Sequence, residues 1–434
     1  MSEQTLVAIV GCVAVLVLML IRVPIAVSLG SVAVAGFAYL VGPGPALGIL
    51  IDSPIRTVTN FNFSVVPMFI LMGALVSVSG MSRELFRAAN AWVGHLPGGT
   101  AIATIFACGG FAAINGSSIA SAATMTQVAL PEMRRVGYDA GLSAGVVAAG
   151  GTLGIMIPPS VMFILYSILT DTNLAALFIA GVVPGLIAIA LYCATILILY
   201  RVRRDWMPLA AGADRRERRE SIRDVWATLL LFAFVVGGIY GGLVTITEAA
   251  GLGAFGALAI GVLRRRLSSR GIVDSLVEAL RTSAAIFFIL IAAFLFQYFL
   301  AVTQMSQLLG SFLTSLPVGP TGIVIVILAF YIIVGMFVDE LAIILLTIPI
   351  VFPIVTGLGF DPVWFGVLVV VTVQIGLIAP PVGIICFIMN NMVPDIGLVR
   401  IYKGAMPFVI ADLVWLALLV AFPSISLFLV RLMG

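Results

Sequence analysis

The chain has 434 residues, 62% of them hydrophobic and only 9% charged, where an ordinary soluble domain carries roughly 25% charged residues. So few charges cannot coat a water-soluble fold of this size, and so much apolar side chain cannot be hidden inside one, which excludes soluble enzyme classes and implies a polytopic membrane protein in contact with lipid. The net charge of +3 means little as a total and where the positive charges fall means more; no nucleic-acid partner is expected.

The 44 glycines and 21 prolines lie inside apolar runs, which points to helices that break within the bilayer. The N-terminus carries Glu3 and no Lys or Arg ahead of its apolar run, and it lacks a small-x-small cleavage site, so residues 4–21 are expected as a retained span. Apolar runs of about 17–20 residues suffice to cross a bilayer as helices. In chain order they predict spans over 4–21, 24–41, 58–79, 141–170, 174–200, 225–242, 246–263, 284–302, 363–392 and 406–430. Two stretches, 98–133 and 320–355, are too long for one helix and are interrupted by Asn115-Gly116-Ser117-Ser118 and by Asp339-Glu340. Both are expected to be re-entrant hairpins, whose irregular tips must face protein or a watery cavity. Ser82–His95 and Leu267–Ser283 are amphipathic, and read equally as arms lying flat at the interface or as ordinary interfacial loop helices.

Charge asymmetry tests this layout. With both termini outside and both hairpins re-entrant, all but two of the 22 Lys and Arg fall on the inner side, the exceptions being Arg56 and Arg431. Arg201–Asp224 is the one long polar stretch and reads as an inner linker, leaving residues 1–200 and 225–434 as two repeats. A shift of 222 residues superimposes Pro131 on Pro353, Gly137 on Gly359, Asp139 on Asp361, Gly154 on Gly376, Pro158 on Pro380 and Pro159 on Pro381 without a gap. In this topology the two hairpins open to opposite sides, so the repeats are inverted. Inverted repeats with broken helices are typical of secondary transporters, whose sites lie where the repeats meet.

Four groups of residues could carry the chemistry. At Asn115–Ser118 one half-helix ends and another begins. The new N-terminus offers N–H groups to an anion, and carbonyls at the old C-terminus can hold a hard cation. Gly150-Gly151-Thr152-Leu153-Gly154 followed by Pro158-Pro159-Ser160 cannot stay helical, because proline lacks its N–H and clashes with the preceding turn. Its counterpart, from Thr372 through Gln374 and Gly376 to Pro380-Pro381, breaks in the same way. Two such kinks in register suggest a pair of ion sites rather than plain proline kinks. The fourth group, Asp339-Glu340, could bind a cation or merely cap a half-helix. Glu248, near the outer interface, reads as a snorkelling or scaffold-contact residue. Cys12, Cys108, Cys193 and Cys386 lie in apolar stretches without metal spacing and read as small core residues. With His95 as the single histidine, metal clusters and Ser-His-Asp triads are not expected, so the chain does not read as an enzyme.

Taken in order, Asn115–Ser118, Gly150–Ser160, Gly335–Glu340 and Gln374–Pro381 make the chain resemble, over nearly its whole length, the large membrane subunit of tripartite ATP-independent periplasmic (TRAP) transporters, within the wider ion-transporter superfamily. The family usually carries Ser-Gly-Ser at the first tip, where this chain has Asn115. The resemblance implies an all-α elevator-type transporter in the bacterial inner membrane. It would import an organic acid (a C4-dicarboxylate, sialic acid or a similar carboxylate) with Na⁺ as the coupling ion and no organic cofactor. Substrate is then expected against Asn115, Ser117, Ser118, Ser160 and Asp339. Na⁺ is expected against Asn115, Gly116, Ser117, Gly150, Thr152, Gly154, Val338, Asp339, Thr372, Gln374 and Gly376. The implied partners are a periplasmic substrate-binding protein and a small membrane subunit. The small subunit is expected as a separate chain, because this one begins directly with the large-subunit pattern. The competing expectations are a stand-alone Na⁺-coupled anion carrier or antiporter of the same superfamily, a membrane-embedded enzyme and an ion channel.

Overall fold

A computed structural model describes residues 3–210 and 212–433, and every regular element among them is helical. The outermost residues of the two termini, expected outside, are not among the described residues. With no water in hydrocarbon to satisfy backbone N–H and C=O groups, helices meet that demand within a single segment. Seven of the helices are long and apolar enough to cross a membrane.

The first half runs α1 (Glu3–Leu20), α2 (Ile25–Val41), α3 (Pro43–Thr59), α4 (Val65–Val78), α5 (Met81–Val93), α6 (Gly99–Asn115), α7 (Ser118–Val136), α8 (Ala140–Thr152), α9 (Val161–Thr170) and α10 (Leu174–Val202). The second half runs α11 (Arg215–Tyr240), α12 (Ile246–Leu263), α13 (Ser269–Thr303), α14 (Met305–Thr314), α15 (Pro320–Gly335), α16 (Glu340–Gly357), α17 (Pro362–Ile378), α18 (Ile384–Met392), α19 (Leu398–Ala421) and α20 (Ser424–Met433). Helix breaks fall at both expected tips, between α6 and α7 and between α15 and α16, and inside both expected broken spans, between α8 and α9 and between α17 and α18.

Three boundaries differ from expectation, each for a local reason. The amphipathic stretch 267–283 is not a separate arm: it continues into the following span as the 35-residue α13, because no proline interrupts 269–303. The span expected over 406–430 splits at Phe422-Pro423, since the residue before a proline is pushed out of the helical region; Phe422 has φ −128° and ψ 76°. The linker 201–224 is not wholly irregular. Asp214 caps α11 by accepting from the Glu217 N–H at 2.6 Å, and Arg216 reaches Glu220 one turn on, so the helix starts ten residues before the span predicted at 225. Between the spans predicted over 24–41 and 58–79 a further helix, α3, forms, with Pro43 at its first turn, where proline is tolerated.

The helices pack as two groups that meet most extensively where α5 lies on α6, with α4 on α6 and α13 on α16 beside it. In the first, α2 lies on α13, α4 on α12 and α13, and α11 on α12 and α5. In the second, α8 lies on α19 and α7, α15 on α17, α16 on α9, and α10 on α19 and α6. Both halves of the chain contribute to each group. Where α8 crosses α19, Gly145 and Gly404 bring the two backbones together, and a Cβ on either would overlap main-chain atoms of the other helix. Such close crossings let small residues substitute dispersion contact for a hydrophobic effect that lipid does not supply. In the first group, buried Glu84 on α5 pairs with Arg264 after α12 at 2.7 Å, with Arg266 further off at 3.6 Å. Glu248 closes a capping box with Thr245 at the start of α12, a role that is local rather than a snorkelling one.

Candidate functional site

The two hairpin tips are built differently but placed alike. α6 ends at Asn115, and Gly116 turns the chain with φ +64°, the left-handed region that favours glycine. A Cβ there would also lie 2.9 Å from the Pro159 carbonyl oxygen, so both conformation and space ask for glycine. Ser117 is then extended, and its Oγ accepts from the Ala120 N–H to start α7. In the second hairpin Asp339 does the same for α16, its Oδ1 accepting from the Leu341 N–H at 3.0 Å. Ser117 and Asp339 are partners under the 222-residue shift, and so are the next residues, Ser118 and Glu340. These two touch: the Ser118 hydroxyl donates to Glu340 Oε2 at 2.6 Å, with both side chains buried. Residues matched by the 222-residue shift thus meet where the two half-helix N-termini converge.

Each broken span abuts its own hairpin at a glycine. After α8 the chain passes through a short turn at Leu153–Ile155 and runs irregularly to Ser160, whose Oγ donates to the Ile155 carbonyl and accepts from the Phe163 N–H to start α9. A Cβ on Gly154 would stand 2.8 Å from the Ser117 carbonyl oxygen. A Cβ on Gly376 would stand 2.8 Å from the Gly335 carbonyl oxygen, and the Gly383 N–H donates to the Met336 carbonyl at 3.2 Å. The Pro158-Pro159 and Pro380-Pro381 bonds are both cis.

A cavity of about 150 Å³ lies between the two packing groups. Asn115, Gly116, Ser117, Val161, Glu340 and Leu341 line one wall; Ile70, Ala74 and Ser77 of α4, with Glu278, Thr282 and Ile286 of α13, line the other. One wall therefore carries the N-terminal ends of α7, α9 and α16, the Ser117 hydroxyl, the Asn115 amide and the Glu340 carboxylate. N-terminal N–H groups suit a bound anion, and oxygens from irregular backbone suit a hard monovalent cation.

The expected residues distribute unevenly. Asn115, Gly116, Ser117 and Ser118 come together with the second tip, and Gly154 and Ser160 back onto them. Asp339 caps α16, while its neighbour Glu340 reaches the first tip and the cavity. Val338 is tied into the turn by its N–H to the Val334 carbonyl. Gly150 faces Cys108 on α6 rather than the cavity. The Thr372 hydroxyl donates back to the Leu368 and Val369 carbonyls of its own helix, and the Thr152 hydroxyl to that of Ala149. Gln374 donates from Nε2 to the Tyr192 hydroxyl at 3.0 Å, with Thr152 Oγ1 at 3.4 Å from that same hydroxyl, so both point to α10. Sequence reasoning missed Ser77, Glu278 and Thr282 on the far wall, and the buried pair Tyr192–Asp412. A lone carboxylate in the apolar run of α19 was the available signal for Asp412.

Residues 12–425 match the family described as Tripartite ATP-independent periplasmic transporter, DctM component. The chain belongs to that family. It is 37% identical to the C4-dicarboxylate TRAP transporter large permease protein DctM of Pseudomonas aeruginosa, across 91% of this chain and 94% of the relative. The sialic acid TRAP transporter large permease protein SiaM of Vibrio cholerae is 30% identical across 86% of this chain and 87% of its own. The isethionate TRAP transporter permease protein DctMQ of Oleidesulfovibrio alaskensis is 33% identical across 94% of this chain, which spans 64% of that longer protein. Among solved structures, the Alcanivorax borkumensis YdaH transporter superimposes with a TM-score of 0.62 over 88% of this chain and 89% of that one, at 14% identity. The fold of this DctM-family chain is therefore shared with a transporter of distant sequence.

Proposed function

We propose that this TRAP large permease uses inward Na⁺ flow to import a small organic acid, carried by the second packing group as it moves against the first in an elevator motion. The observation behind this is the cavity between the groups, where both hairpin N-termini meet through Ser118 and Glu340. An anion held there by half-helix N–H groups would travel with the tips. Na⁺ would be held by carbonyls of the irregular segments after α8 and α17 and by the tips that Gly154 and Gly376 touch. The 222-residue correspondence of caps and breaks supports two inverted repeats and hence a pair of such ion sites. Relatives named for C4-dicarboxylates, sialic acid and isethionate support an anionic substrate, and the tripartite family description supports a small membrane subunit and a periplasmic binding protein as partners. Each Na⁺ entering down 100 mV releases about 2.3 kcal/mol from voltage alone, and two ions would offset the charge of a dicarboxylate.

The test is uptake into proteoliposomes holding the full chain and its small subunit, with substrate-loaded binding protein outside. Uptake should require an inward Na⁺ gradient and should vanish in Thr152→Leu and Thr372→Leu variants that still fold. Uptake unaffected by replacing Na⁺ with K⁺ would refute the coupling, and uptake without binding protein would favour a stand-alone carrier.

A further inference from the structure

Within the second packing group lies a polar cluster that faces away from the cavity at the tips, and of its members only Thr152 enters the uptake test above. Asp412 on α19 is 1% exposed, and Tyr192, Gln374 and Thr152 around it are fully buried. Asp412 Oδ1 accepts from the Tyr192 hydroxyl at 2.8 Å; that hydroxyl accepts in turn from Gln374 Nε2 at 3.0 Å. No Lys, Arg or His stands within ion-pair distance of Asp412 among the described residues. Two oxygens in the cluster, Asp412 Oδ2 and Gln374 Oε1, are buried without any hydrogen-bond donor.

Two conditions are therefore unmet at one place. A buried carboxylate is heavily penalised unless a positive charge accompanies it, and buried acceptors are penalised unless something donates to them or binds them. A cation satisfies both at once. We propose that Asp412 Oδ2 and Gln374 Oε1, with the hydroxyl oxygens of Tyr192 and Thr152, form a buried site for a dehydrated monovalent cation, Na⁺ in this transporter. The donor set is all oxygen, which suits a hard ion, and its single carboxylate balances a single positive charge. Thr152 and Gln374 are partners under the 222-residue shift, and both converge on the one Tyr192 hydroxyl. The site thus lies between the two irregular segments and exists once per chain, in addition to any pair of ions at the tips. A cation there would tie the ends of α8 and α17 to α10 and α19 and travel with them.

This inference rests on the Na⁺ coupling proposed above, and equilibrium binding separates the two. Radioactive Na⁺ bound to the purified full chain is counted for wild type, Asp412→Asn and Gln374→Met, with a melting curve as the check on folding. Asp412→Asn should bind one Na⁺ fewer per chain and keep the rest. Gln374→Met should weaken one site at least tenfold, and it decides the matter if Asp412→Asn fails to fold. An equal, non-zero Na⁺ count in wild type and both variants overturns the site while leaving the coupling intact; this is also the result if Asp412 holds a proton instead. A wild type that binds no Na⁺ overturns both.

Discussion

Replacing Ser118 by alanine removes the only hydrogen-bond donor found for Glu340 Oε2 among the described residues, at 2.6 Å, and leaves a 6%-exposed carboxyl group without it. Leaving a buried acceptor unpaired costs about 1–3 kcal/mol, roughly 5- to 150-fold in an equilibrium constant. Removing both partners, as in Ser118→Ala with Glu340→Leu, should recover much of that loss, because no polar group is then stranded. The measurement is a double-mutant cycle on reversible unfolding in mixed micelles, using Ser118→Ala, Glu340→Leu and the double variant. A coupling energy of at least about 1 kcal/mol is expected from an interaction between two contacting buried groups. Single effects that simply add, within about 0.5 kcal/mol, would refute the idea that the two tips are held together through this pair.

Other outcomes follow from the same geometry. Gly154→Ala and Gly376→Ala should each depress uptake severalfold, because the new methyl meets backbone that cannot swing away, whereas Gly48→Ala, with nothing within 4 Å, should leave uptake unchanged. Equal uptake in all three would remove the case for close tip contact. Glu84→Ala strands Arg264, whose side chain is 19% exposed, and should destabilise toward the lower end of about 3–5 kcal/mol in the same unfolding assay. Arg134→Ala breaks a pair with Asp395 whose side chain is 63% exposed, and should cost under about 1 kcal/mol. A larger loss in Arg134→Ala than in Glu84→Ala would contradict the burial argument.

The elements that glycine and proline punctuate were legible in the sequence. The hairpin tips and the irregular segments after α8 and α17 stand where Asn-Gly-Ser-Ser, Asp-Glu and the Gly…Pro-Pro runs place them, because those residues act on the backbone itself. Where the sequence misled, tertiary packing decided. The Arg- and Glu-bearing stretch 267–283 looked interfacial, yet it continues as the lower part of α13 and sets Glu278 and Thr282 opposite the tips. The sequence places Thr152 and Gln374 beside the breaks, but which way a side chain points within a helix depends on a neighbour that the one-dimensional pattern does not contain, here Tyr192. Ser118 and Glu340 sat at matching positions, although only the fold shows that matched positions come into contact.

The glycine crossing of α8 and α19 bears on how this molecule could be made in pieces. Those helices come from different halves of the chain, and their main chains touch with no side chain between them. Severing the polypeptide between α10 and α11 would therefore yield fragments neither of which contains a complete bundle. Such fragments should be insertable one after the other yet inert alone, and competent only when made together in the same bilayer, where each supplies the other's missing groove.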